Sequence, residues 1–110
     1  MNRRVIRGIV TLTAVVLTAR LGRVQFQGHD ETYYNLSMKR IVQQAQNKGI
    51  PGEYWESENG CKMYGEFIMC AGAPGRYGEI IETSLGQGII LDTGSFAKTN
   101  PTCIDIATNW

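Results

Sequence analysis

The sequence predicts a small, mainly β domain with a single packed helix, and three observations carry that prediction. Residues 79–110 hold three short β-branched runs, Ile80-Ile81, Ile89-Ile90-Leu91 and Ile104-Asp105-Ile106, separated by clusters of Gly, Ser, Asn and Pro. Such punctuation marks short strands joined by tight turns. Asn59-Gly60 is a hairpin signal, with Tyr54-Trp55 and Lys62-Met63-Tyr64 placed to pair across it. Only Asn35 to Lys48 reads as a convincing helix.

Composition sets the outer limits. The 110 residues have room for one domain with a modest core. A hydrophobic content of 43% with thirteen glycines fits a folded, turn-rich chain. The net charge of +1 gives no support to nucleic acid, or to an acidic partner, as the main ligand. Cys61, Cys70 and Cys103 have no CxxC spacing and His29 lies far from them in sequence, so neither a zinc site nor any other metal is expected. In an exported chain one disulfide would leave one thiol over; otherwise the three cysteines are small buried side chains. No cofactor motif is present. The glycines of Gly72 to Gly78 lack the Lys-Ser/Thr pair and the following helix that a phosphate cradle needs.

Taken in order, residues 1–22 join a basic start (Arg3, Arg4, Arg7) to a short apolar run, Ile9 to Ala19. That is the pattern of a signal peptide or apolar leader, and the run is short for a membrane span. Export to the cell envelope or beyond is therefore the expectation, with membrane contact through the leader alone. Residues 23–34 are polar and read as a linker, with His29 in solvent. The domain is expected over residues 35–110. Its helix has Ser37 as N-cap, Leu36 and Ile41 as a staple, a stripe of Leu36, Ile41, Val42 and Ala45, and Gly49 as a left-handed stop. Glu66 to Ala71 is a continuous apolar run that suits a buried strand. Tyr54-Trp55 beside acidic residues is a pair able to stack on a sugar ring, or else to cover one end of a small barrel.

Two aspartates stand at marked places. Asp92 ends the run Ile89-Ile90-Leu91 and opens the turn Thr93-Gly94-Ser95. Asp105 lies between two isoleucines. If both isoleucines face a core, a period of two turns Asp105 to the opposite side. The two carboxylates are thus candidates to share one cleft.

The order of these pieces is informative: Cys70-Ala71, Pro74, Arg76 to Ile81, then Gly88-Ile89-Ile90-Leu91-Asp92-Thr93-Gly94, then Ile104-Asp105-Ile106. It resembles the three-aspartate (3D) domain, a double-psi β-barrel family related to membrane-bound lytic transglycosylase A and rare lipoprotein A. The resemblance covers the last third to half of the chain, and Tyr54 to Met63 is similar to what precedes the barrel in wall-associated and phage proteins. It implies a small six-stranded double-psi barrel with the helix outside. Asp92 matches the middle aspartate and Asp105 the last, the candidate catalytic acid. The first has no counterpart near Ala71 and Gly72.

The resemblance further implies cleavage of peptidoglycan glycan strands by a lytic transglycosylase mechanism. One carboxylic acid suffices there, because the sugar's own 6-hydroxyl replaces the attacking water of an ordinary glycosidase. The expected site is Asp105 and Asp92 for catalysis, with Tyr54, Trp55 and Thr93 holding substrate. The alternative is a non-catalytic glycan-binding module of a wall-associated or phage protein, which the missing first aspartate favours. Oligomeric state is not legible.

Overall fold

The computed structural model describes residues 23–110, so the leader expected over residues 1–22 lies outside the described residues. The described chain is mainly β: β1 (Val24–Phe26), β2 (His29–Tyr34), α1 (Lys39–Asn47), β3 (Tyr54–Glu56), β4 (Lys62–Tyr64), β5 (Phe67–Gly72), β6 (Ile80–Thr83), β7 (Gly86–Thr93) and β8 (Ile104–Ala107). Six strands follow one path, β1-β2-β8-β5-β4-β3, while β7 pairs with β5 and carries β6 beside it. The pairs β2–β8 and β5–β7 are parallel; the others are antiparallel. β5 is the centre. β4 and then β8 pair with successive parts of it, and β7 runs beside Ile68 to Gly72.

The sheet curls into a half-barrel, and one side chain marks where the curl brings its ends together. Ser84, in the β6–β7 turn, donates its backbone N–H to Glu31 Oε2 at 3.0 Å and its hydroxyl to Glu31 Oε1. Four strand spacings separate β2 from β6, about 19 Å in a flat sheet. Contact at hydrogen-bond distance therefore requires strong curvature. Glu31 is fully buried, and His29 Nε2 lies 3.0 Å from its Oε2. A buried carboxylate without such partners would be costly.

Alternation splits the apolar residues between two faces. Inside the curl pack Met63, Ile68, Cys70, Ile90, Ile104 and Ile106, with Leu85 beside them. The outer face carries Tyr64, Met69, Ile89, Leu91 and Ala107, and α1 covers it with Met38, Ile41 and Ala45. The sheet is thus a barrel-like core with one helix outside, as the sequence predicts. The three cysteines are buried free thiols.

Residues 24–34 are not a linker. They form β1 and β2, and β2 lies against β8 in the middle of the sheet. Polar composition concealed this, because the inward side chain there is Glu31, whose partner Ser84 is 53 residues away. The helix is also shorter than expected. It starts at Lys39 with Met38 at the N-cap and no side-chain cap; Ser37 Oγ accepts only the Lys39 N–H, at 3.4 Å. Burial of Met38, and not a capping side chain, fixes the start; Leu36 is 61% exposed. The far end is as the sequence predicts. Ile50 N–H donates to Ala45 O and Gly49 N–H to Gln46 O, both at 3.0 Å, with Gly49 at φ +82°. That is the Schellman arrangement, which needs a left-handed residue at that point.

The hairpin around Asn59-Gly60 forms between the two predicted segments, with Tyr54 opposite Tyr64 and Trp55 opposite Met63. β5, β6, β7 and β8 occupy the four runs expected to be strands.

Candidate functional site

The site grows from a row of laterally paired residues. Ala71 on β5 pairs with Asp92 on β7 and with Asp105 on β8, and Asp105 pairs in turn with Thr32 on β2. Paired residues in neighbouring strands point to the same side, so Asp92, Ala71, Asp105 and Thr32 share a face. It is the α1 face, because Ala107 and Tyr34 belong to the cluster under the helix. Ile104 and Ile106 are buried inside the curl, and period two turns Asp105 away from them as the sequence predicts.

Asp92 reaches this face through an irregularity. Simple alternation from Ile90, which points into the curl, would send Asp92 inward as well. The register shifts between Cys70 and Ala71: Cys70 pairs with Ile90, yet Ala71 pairs with Asp92, leaving Leu91 as an extra residue. Such a bulge places two consecutive side chains on one side of a strand and re-aims them. Leu91 and Asp92 consequently both face α1.

Two carboxylates thus flank a methyl group, with their backbones two strand spacings apart, about 10 Å. Thr32 Oγ1 donates to Asp105 Oδ1 at 2.9 Å. Tyr34 OH donates to Asp92 Oδ2 at 3.2 Å, and the Thr93 N–H donates to Asp92 Oδ1 at 2.8 Å. Burial pushes the Asp105 carboxyl above its ordinary range, the Thr32 hydrogen bond pulls it back, and the negative charge of Asp92 raises it further. The Tyr34 phenol is raised too, first by burial and then by Asp92, with a smaller contribution from Asp105. It therefore keeps its proton and acts as a donor standing near both carboxylates.

A groove of about 610 Å³ opens beside Asp92, walled by the first turns of α1 through Met38, Lys39, Ile41 and Gln43. Asp92 lines it directly; Asp105, across Ala71, lines neither this groove nor its neighbour, so the cleft expected to hold both aspartates contains only Asp92. A partly buried carboxyl held near a second carboxylate is equipped to give and take a proton.

The remaining predicted site residues are dispersed. Tyr54 is on the α1 face, opposite Tyr64, and contributes to the groove's continuation near Lys62. Trp55 turns to the other face, opposite Met63, and donates its indole N–H to Gly65 O at 2.7 Å. The pair expected to stack on one sugar is therefore split by strand alternation. The Thr93 side chain is exposed at the end of β7 and lines neither groove; only its backbone serves the site. Thr32 and Tyr34 are the site residues the sequence did not reveal. Their one signal was the run Thr32-Tyr33-Tyr34, a β-branched residue and two aromatics of the types favoured in strands, in a segment read as a linker.

Comparison with known protein families, curated proteins and solved structures finds no match for this chain.

Proposed function

We propose that this protein cleaves the glycan strands of peptidoglycan by a lytic transglycosylase reaction with Asp105 as the acid and base. The observation that supports this reading is the row Asp92–Ala71–Asp105 on one face beside an open groove. It has the two aspartates that the resemblance to the three-aspartate double-psi barrels singles out. Two parallel strand pairs, β2–β8 and β5–β7, within one small curled sheet also accord with that barrel family.

In this reaction protonated Asp105 donates to the glycosidic oxygen as the bond from that oxygen to the anomeric carbon breaks. The developing positive charge on the sugar lies close to Asp92, whose negative charge favours it. Asp105, now ionised, takes the proton of the same sugar's 6-hydroxyl while that oxygen bonds to the anomeric carbon. The products are a free 4-hydroxyl and a 1,6-anhydro sugar, and the acid is regenerated without water. Thr32 holds Asp105 in place and Tyr34 holds Asp92.

The test is digestion of purified cell-wall sacculi, with anhydro-sugar products followed by mass spectrometry. The parent releases them, and Asp105→Asn, which keeps the shape and the Thr32 hydrogen bond, loses on the order of 10²–10⁴-fold in rate. One observation favours the second reading, a glycan-binding module: the residue between the aspartates is Ala71, with no third carboxylate. A parent that binds sacculi and releases no anhydro sugar decides for the module.

A further inference from the structure

The groove beside Asp92 does not end at the first turn of α1. A second groove, about 510 Å³, shares Ser37, Met38, Lys39 and Gln43 with the first and continues to Tyr54, Glu56 and Lys62. These four residues at the start of α1 border both grooves, and we call the pair the trough; between them they reach from Asp92 to the β3–β4 hairpin.

Lys62 is the unusual residue in this trough. It is only 6% exposed, yet its ammonium is held by neutral acceptors, Asn35 Oδ1 at 2.8 Å and the backbone carbonyl of Leu36. None of the ion pairs among the described residues involves it, and residues 1–22 contain no Asp or Glu. Glu56, directly across the hairpin, feels the Lys62 charge, but no ion pair joins the two: Tyr54 OH donates to Glu56 Oε2 at 2.7 Å and Asn109 Nδ2 to its Oε1 at 2.8 Å. An ammonium has three donors, and two are used here. A buried ammonium with no carboxylate in direct contact is costly, and a ligand that supplies one recovers part of that cost on binding. The rest of the trough suits a polyhydroxylated chain. Ser37 and Gln43 offer hydrogen bonds, the Tyr54 ring is partly exposed as a wall, and Lys39 adds a second, exposed cation.

We infer that the trough is a binding site for a sugar polymer bearing carboxylate groups, and that Lys62 selects it by pairing with one carboxylate remote from Asp92. The inference rests on the proposed glycan chemistry and specifies which glycan the site accepts: strands whose muramyl carboxyls are free, because a carboxyl joined to a stem peptide is an amide and carries no charge. An uncharged polymer of the same sugars would leave the Lys62 ammonium unpaired.

The full-length Asp105→Asn chain, which does not turn the ligand over, is titrated calorimetrically with three tetrasaccharides. These are neutral N-acetylglucosamine tetramer, the tetramer alternating N-acetylglucosamine with N-acetylmuramic acid, and the latter with its carboxyls methyl-esterified. The acid form binds at least about tenfold more tightly than the other two, the scale of a hydrogen bond to a charged group, and Lys62→Met erases the difference. Equal affinity for acid and ester overturns the inference without recourse to any Lys62 variant, and so does a preference that persists in folded Lys62→Met. The two proposals separate cleanly. Acid preference in a parent that releases no anhydro sugar leaves the trough assignment standing and removes the cleavage. Product release with equal affinities does the reverse.

Discussion

Asp105 sits where burial disfavours its charge, and its stability contribution has a definite sign. Its folded pKa is raised by burial and by Asp92, so the unfolded chain loses its proton first as pH rises. Between the ordinary carboxylate range and the raised folded value, the native state binds more protons, and stability falls as pH increases. Asp105→Asn removes that penalty. Its melting temperature should equal or exceed the parent's at pH 7, with the gap closing as pH drops below the ordinary carboxylate range; thermal scans from pH 3 to 8 check it. A variant less stable than the parent at pH 7 would show that the ionised group stabilises the fold. Both aspartates were legible in the sequence, from an apolar run ending in Asp-Thr-Gly and from Ile-Asp-Ile. What brings Asp92 to the α1 face was not, because the Leu91 bulge is a property of pairing between β5 and β7. Lys62 escaped notice for a related reason: nothing local shows that a lysine in a hairpin strand is buried.

Among the elements, β7 is the most tightly specified. Gly88 pairs with Ile68 and Ile81, and a Cβ there would lie 2.7 Å from Cys70 Sγ and 3.2 Å from the Ile68 carbonyl oxygen. Gly88→Ala should cost about 1–3 kcal/mol by overpacking, read as a lower urea midpoint at unchanged slope. Gly75→Ala is the control, since nothing lies within 4 Å of its added Cβ, and it should leave the midpoint near the parent's. Legibility followed the same lines. The hairpin at Asn59-Gly60, the helix stop at Gly49 and the apolar strands β5, β7 and β8 each declare themselves through local chemistry. β2 does not. His29-Asp30-Glu31-Thr32-Tyr33-Tyr34 has no apolar alternation, because its inward positions are His29, Glu31 and Tyr33, and the buried Glu31 is satisfied by Ser84 from the opposite end of the sheet.

For the molecule as a whole, the corrected role of β1 and β2 moves the domain boundary. A chain starting at Arg23 should give a cooperative thermal transition and dispersed amide resonances. One starting at Asn35 should give neither, since β8 loses its parallel partner and Glu31 no longer bonds to the β6–β7 turn. Cooperative folding of the shorter chain would return residues 23–34 to the status of a linker. The parallel pairing of β2 with β8 also bears on when the protein becomes competent. Thr32 and Asp105 are 73 residues apart, a stretch that a ribosome takes roughly 4–15 s to add at about 5–20 residues per second. Through that interval β2 emerges with no strand to receive it and Asp105 does not yet exist. Whatever chemistry this row of residues performs is therefore withheld from the nascent chain until β8 has emerged to pair with β2.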